Sequence, residues 1–496
     1  GDASITDANA IDLGTSTVGN DLVVVATAGG DITNTGGSLT VTGDSSFTVD
    51  DGQSISVDDA ANEFTGAVAF AASTGQLNNV TVVDTTALEL QAGLDVGGAL
   101  SVTAAGISQA GAIDVTGASS FTATDDAAID LTNAANDFGG AVSVSTTGAT
   151  GDASITDANT IDLGTSTVGN DLAVVATTGG DITNTAGSLT VTGDSSFTVD
   201  NGQSISVDDA ANEFTGAVTF AASAGQLNNV TVVDTTALEL QDGLNVGGAL
   251  DVTAAGISQA AGASGVAVTG SADFTVGDGE SIILGNTNNT LAGAVTFTAS
   301  TGLLGDVTVA DTTALELQDD RDVGGSLVVT AAGISQAAGL NGIAVTGTSD
   351  FTATGDTAID LTNSANDFTG SVLLSTTGTT GDASVTDANE IDLGTSTVGN
   401  NLVVEAVTAG DITNTGGSLT FANVLFNSDG GVLGLGGADD VTVSPDGKHV
   451  YVSAERDNAI TVFDRSAGAM GTLQFVEVQK EGVGGVKGLL EASSLQ

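Results

Sequence analysis

Polar and apolar residues take turns along most of this chain. Ser38-Leu39-Thr40-Val41-Thr42-Gly43 alternates, as do Ser54-Ile55-Ser56-Val57-Asp58 and Ala128-Ile129-Asp130-Leu131-Thr132. Alternation over a few residues, bounded by Gly, Asn and Asp, predicts short strands with one buried face and tight turns between them. No segment keeps a period near 3.6 residues, so no helix is predicted. Strands should follow one another about every 8 to 13 residues without helical crossovers.

The pattern also repeats. GDASITDAN stands at Gly1–Asn9 and again at Gly151–Asn159, with GDASVTDAN at Gly381–Asn389. Laid over Gly151–Ala260, the stretch Gly1–Ala110 differs at ten places, such as Ala10 against Thr160 and Asp51 against Asn201. The copied block is itself two related halves. Phe47, Phe121, Phe197, Phe274 and Phe351 share one context at spacings of 74, 76, 77 and 77. Phe64, Phe138, Phe214, Leu291 and Phe368 mark a second, N-[ED]-F-[TG]-G-[AS]-V or its variant NNTLAGAV. Five units of about 76 residues fill 1–380, and a sixth begins at Gly381 and fades near Phe421. Some forty strands are too many for one open sheet. Coiling them into a solenoid buries each turn on its neighbours. The expectation is three strands per turn and three turns of about 25 residues per unit. Val, Ile, Leu and Ala should fill a thin core, with Phe once or twice per unit. The regular alternation and a hydrophobic fraction of 41% oppose disorder.

Composition divides the chain. Residues 1–430 hold 53 acids and one base, Arg321; residues 431–496 hold 9 acids and 5 bases, together with the single Pro, His, Tyr and Met. This predicts a long acidic domain over 1–430 and a short module over 431–496, with a boundary in Gly430–Gly437. With no Cys, disulfides, thiol nucleophiles and Cys-held metals are excluded. A net charge of −56 opposes nucleic-acid binding through phosphates. No run of about 18 apolar residues predicts a transmembrane helix.

Several motifs invite chemistry. Asp58-Asp59 before Asn62-Glu63, Asp208-Asp209 before Asn212-Glu213, Asp125-Asp126 and Asp319-Asp320 could hold Ca²⁺ through carboxylate and carbonyl oxygens. Asp is equally the residue of solvated Asx turns, and neither an EF-hand loop nor a G-G-x-G-x-D nonapeptide is present. Ca²⁺ is the one candidate cofactor, and no residue is assigned as a ligand. Charges one turn apart repel by about 0.9 kcal/mol in water, so divalent cations or salt are expected to stabilise the fold. Paired carboxylates also suit glycoside hydrolysis. Against that, Arg321 alone could grip an anionic sugar, and near-identical units form no unique pocket. His449 lacks a Ser or Cys constellation. Gly430-Gly431 lacks the helix and Lys of a phosphate loop. Thr33–Thr35, Thr40–Thr42 and Thr122–Thr124 could suggest an ice-binding face, but they do not recur at every turn. No catalytic or cofactor-binding residue is assigned.

Two resemblances add expectations. ALELQAGLDVGGALSVTAAGISQAGAIDVTG (Ala87–Gly117) and AANDFGGAVSV (Ala134–Val144) resemble the repeats of filamentous-haemagglutinin-like bacterial surface proteins, over about 1–420. This implies a right-handed parallel β-helix, export, and adhesion or matrix building. In the tail, Val441–Val443, His449–Val452, Ala459–Phe463 and Leu473–Val478 read as four antiparallel strands, the first two joined at Ser444-Pro445-Asp446-Gly447. SPDGKHVYV followed by NAITVFDR resembles one blade of a YVTN-type, lactonase-like propeller. The expected function is that of a non-enzymatic extracellular or bacterial cell-surface protein, an adhesin or fibre component. Its partners would be copies of itself, or glycans or proteins of neighbouring cells. The alternative is a fragment of a carbohydrate-active or lactonase-like enzyme.

Overall fold

The computed structural model describes residues 1–318, 321–339, 341–408, 410–427, 438–444, 448–454, 459–465 and 473–480. Among them there is no helix. They fall into two compact units, 1–255 and 256–496.

In residues 1–255 the alternating segments form two long stacks of parallel strands, twelve strands in each. The first begins with Ala3–Asp7, Leu22–Ala26 and Ser45–Val49 and ends at Ala237–Leu240. The second begins with Ile11–Asp12, Ile32–Thr33 and Ile55–Val57 and ends at Leu250–Thr253. Short ladders such as Leu94–Val96, Ile113–Val115 and Asp137–Phe138 line a third side. This is a parallel β-solenoid, as the alternation predicts.

The turn length differs from expectation, because many turns are shorter than the about 25 residues expected. The turn that carries Ala3 to its partner Leu22 is shorter than the one that carries Ile55 to Val80. From Ser45–Val49 to its copy Ser195–Val199 there are seven steps. They pass through Val68–Ala72, Ala87–Leu90, Gly106–Gln109, Ile129–Leu131, Ala153–Asp157 and Leu172–Ala176. One unit therefore occupies three and a half turns, not three. The copy one unit away, Ser119–Ala123, consequently lies in the other stack, between Leu100–Ala104 and Val142–Ser145. Successive units face opposite ways, because turns such as Ala3 to Leu22 and Ala153 to Leu172 consume fewer residues than the turn of about 25 expected from the sequence.

Inward positions make the core. Phe47, Phe64, Phe121, Phe138, Phe197 and Phe214 are fully buried. Phe47 stacks on Phe70 one turn up, with ring centroids 5.7 Å apart, and meets Phe64 edge-on at 6.1 Å. Where turns approach most closely, Gly is required. A Cβ on Gly117 would strike the carbonyl of Gly98, and one on Gly140 the carbonyl of Gly117.

Residues 256–496 repeat the plan. Gly256–Gln259, Ile282–Leu284, Val307–Ala310, Leu327–Ala331, Ser349–Ala353 and Val372–Thr376 form one stack. Ala272–Val276, Val295–Ala299, Ala314–Leu317, Gly333–Gln336, Ile359–Leu361 and Ala383–Asp387 form the other. Phe274 and Phe351, one unit apart, again sit in opposite stacks. Ser396–Ala406 joins both, and Leu419–Asn427 pairs on top of it.

Beyond it Ala438–Val443, His449–Ala454, Ala459–Arg465 and Leu473–Lys480 form a four-stranded antiparallel sheet in chain order. This is the arrangement read from the tail. The Pro445-Asp446-Gly447 turn, the Gly430–Gly437 boundary and Asp319-Asp320 lie outside the described residues.

Candidate functional site

The distinctive chemistry lies inside the solenoid, where hydropathy alone does not predict polar groups. Each of the five units in 1–380 buries an Asn at the same place: Asn62, Asn136, Asn212, Asn289 and Asn366. The Asn136 Oδ1 accepts from Gln109 Nε2 at 2.8 Å and the Ile113 N–H at 3.0 Å. Its Nδ2 donates to the carbonyls of Leu131 at 3.0 Å and Thr156 at 3.1 Å. One side chain thus joins several turns and satisfies corner backbone groups that water cannot reach.

An Asp recurs in the same way and is buried at five of its places: Asp84, Asp157, Asp234, Asp311 and Asp387 are 0–4% exposed. Each accepts the backbone N–H of the aromatic or Leu marker one turn below, from Phe64 to Asp84 at 3.0 Å and from Phe368 to Asp387 at 2.7 Å. In three units two threonines complete a staple. Thr85 gives both its N–H, at 2.9 Å, and its hydroxyl, at 2.8 Å, to the Asn62 carbonyl, while Thr86 gives its hydroxyl to the Phe64 carbonyl at 3.0 Å. Asp234-Thr235-Thr236 and Asp311-Thr312-Thr313 repeat this. Burial pushes the Asp84, Asp157 and Asp387 carboxyls above the usual range, and the neighbouring acids Glu63, Asp137 and Asp367 push the same way.

The signals for these residues were present in the repeat. Asn62 and its copies are the N of N-[ED]-F, and Asp-Thr-Thr recurs three times before A-L-E-L. Their role depends on carbonyls and N–H groups of a different turn, which local reading does not bring together.

The acidic pairs do something plainer. Asp59 accepts the Ala61 N–H at 2.9 Å, and Asp209 that of Ala211 at 2.9 Å, each in an Asx turn. Asp126 takes the Thr150 N–H at 2.7 Å and hydroxyl at 2.9 Å from the next turn, which holds its carboxyl below the usual range. Asp58, Asp125 and Asp208 are exposed. Among the described residues no three Asp, Glu, His or Cys side chains are grouped to hold a metal. Thr33 and Thr35 give their hydroxyls to Asp12 at 3.2 and 2.8 Å, rather than presenting an open array. The Asp12 carboxyl lies below its ordinary value, chiefly through the Thr35 hydroxyl.

His449 sits on an antiparallel strand with its ring 6.4 Å from that of Tyr451. The Ser444 hydroxyl oxygen accepts the His449 N–H at 2.9 Å and the Lys448 N–H at 3.2 Å, capping the strand end. The structure describes only the backbone of Arg321, in the strand Arg321–Val323.

Two surface clefts break the regularity, at equivalent places in consecutive units. One of about 380 Å³ lies beside Gln259, Gly262 and Asn286, and one of about 340 Å³ beside Gln336, Gly339 and Asn363. Each lies under a loop three residues longer than its counterpart after Gln109. Asn286 and Asn363 already donate to the loop carbonyls of Gly262 and Gly339, each at 3.1 Å. The clefts are thus framed by amides engaged with the fold.

Stacked turns, repeated polar staples and a thin apolar core define a repeat β-solenoid protein. A family model described as repeats of unknown function (DUF5649) matches residues 1–71, 77–145, 150–221, 227–298, 304–375 and 380–442. The chain belongs to this family. The six matches follow the unit spacing, and the sixth runs on to residue 442. No curated protein and no solved structure matches the chain. Among the described residues no helix is long and apolar enough to cross a membrane.

Proposed function

We propose that this chain is a non-enzymatic repeat protein of the cell surface or extracellular matrix, serving as adhesive scaffold or fibre component. One observation carries the reading: the unit recurs on alternating faces, so every surface feature is offered several times and on opposite sides. Ser46 and Thr48 face outward in one stack, Ser120 and Thr122 in the other, and Ser196 and Thr198 in the first again. Repetition of this kind suits many weak contacts that sum by multivalency. A single catalytic pocket would instead require one unit to depart from the rest. The partners are further copies of the chain, or glycans or proteins of neighbouring cells. The resemblance to filamentous-haemagglutinin-like repeats supports an exported location, and the resemblance of the tail to a propeller blade adds no catalytic site.

A glycan array read alongside a hydrolysis screen tests this. Binding without turnover, or fibres of the purified chain in electron micrographs, is the expected result. Turnover of a polysaccharide or lactone would overturn it. Melting in EDTA, then in calcium at matched ionic strength, separates a bound ion from general screening. Equal midpoints would leave screening alone as the stabiliser.

A further inference from the structure

The Asp84 staple contains one more acceptor than its protons can serve if the carboxyl is ionised. Asp84 Oδ1 accepts two N–H groups, from Phe64 and Thr86, both at 3.0 Å. The Thr86 Oγ1 lies 3.1 Å from Asp84 Oδ1, 3.2 Å from Oδ2 and 3.0 Å from the Phe64 carbonyl oxygen. A hydroxyl carries one proton. With a carboxylate, Thr86 must choose between the carboxylate and the Phe64 carbonyl, and one of the two acceptors goes short. With a carboxylic acid the shortage ends. The Oδ2 hydroxyl donates to Thr86 Oγ1, Thr86 donates to the Phe64 carbonyl, and Oδ1 keeps both N–H groups.

The surroundings favour the neutral form. The ionisable groups on the segments packed around Asp84 are Glu63, Glu89, Asp58 and Asp59, all acidic. Residues 1–255 contain no Lys, Arg or His. Burial of the carboxyl acts in the same direction.

We propose that the Asp84 staple is a proton-operated latch between turns: closed with the carboxyl neutral, and loosened when it ionises. The same oxygen takes both N–H groups in two further staples. Asp234 Oδ1 accepts from Phe214 at 3.2 Å and Thr236 at 2.9 Å; Asp311 Oδ1 accepts from Leu291 at 3.2 Å and Thr313 at 2.9 Å. At Asp84 the device links the packing of two turns to acidity without a histidine. It goes beyond the scaffold reading and does not depend on it.

Asp84→Asn is the direct probe, because an amide reproduces the neutral acid. Its oxygen accepts both N–H groups and its NH₂ donates to Thr86. Asp125→Asn, at an exposed site outside the groups around Asp84, removes the same charge without touching a latch. At about pH 7.5, well above the ordinary Asp value near 3.9, Asp84→Asn should melt at or above the midpoint of Asp125→Asn. It should also lose less of that midpoint than the parent chain on going from about pH 4.5 to about pH 7.5. A carbon-13 titration of the Asp84 carboxyl in the intact parent chain should give a midpoint above the ordinary value. A lower melting midpoint for Asp84→Asn than for Asp125→Asn at neutral pH would overturn the latch. So would an Asp84 carboxyl that titrates at or below the ordinary value, and that measurement decides even if the variant does not fold.

Discussion

The same string, GDASITDAN, occurs at Gly1–Asn9 and Gly151–Asn159 in different settings. Both copies form a strand, Ala3–Asp7 and Ala153–Asp157, and both pair upward in one register, Ala3 with Leu22 and Ala153 with Leu172. Beneath Ala153–Asp157 lies Ile129–Leu131, with Leu131 against Ile155. Among the described residues Ala3–Asp7 pairs only with Leu22–Ala26. Ile5 is consequently 39% exposed and Ile155 1%. Asp7 lies open, while Asp157 is buried and takes the Phe138 N–H at 3.0 Å. The local bond survives in both: Asn9 donates to Asp7 at 2.9 Å and Asn159 to Asp157 at 2.8 Å. Identical sequence therefore makes an identical strand and turn, and the turn below decides what is core. In a solenoid the apolar burial lies between turns more than within them.

The comparison breaks most sharply at the isoleucines. Ile155→Ala should cost about 2–5 kcal/mol by opening a cavity between turns, and Ile5→Ala less than about 1 kcal/mol. Denaturant unfolding followed by hydrogen exchange around each strand measures both, and equal losses would show that Ile5 is covered in solution. The aspartates come next. Asp157→Ala orphans the buried Phe138 N–H and should cost about 1–3 kcal/mol, whereas Asp7→Ala should stay within about 0.5 kcal/mol.

Acidity sharpens the same contrast. Burial raises the folded Asp157 carboxyl, so its stabilising contribution is complete below the unfolded value near 3.9 and fades as pH rises through the folded value. Asp126 and Asp392 are lowered, chiefly by backbone N–H groups of Thr150 and Thr415. Their contribution is present above the ordinary value and fades as pH falls through the folded one. Stability should therefore peak in mild acid, and thermal midpoints across pH locate the peak. A midpoint that rises steadily up to neutrality would contradict the buried-acid assignment.

The smallest effect concerns serines. Ser45, Ser119, Ser195 and Ser349 bury hydroxyls that have no partner in the structure, and Ala272 stands at the equivalent place in its unit. Ser195→Ala should change stability by less than about 1 kcal/mol, in the stabilising direction, because it removes an unpaired polar group. A clear loss in denaturant unfolding would mean that the hydroxyl is bonded in solution.

Much of this was legible beforehand. Alternation identified the strands, spacing identified the units, and Phe47 and Phe64 with their copies were marked as recurring features that prove to be core. The tail strands at His449–Val452 and Ala459–Phe463 fall inside those observed. Turn length was not legible, since the number of residues a corner consumes depends on how it packs on the next turn. The Asp pairs were legible as turn residues, but the Asp that matters inside, Asp157, was hidden in an unremarked position of the repeat.

Local chemistry in the chain thus determined strand, turn and period, because alternation and turn preference act between residues close in sequence. Tertiary structure alone decided the half-turn offset, the buried Asn and Asp, and the different fates of Ile5 and Ile155. Each of these depends on a partner a full turn away along the chain, as Ala3 is from Leu22 and Ala153 from Leu172. Only the stacking of turns brings that partner within reach of a hydrogen bond or a van der Waals contact.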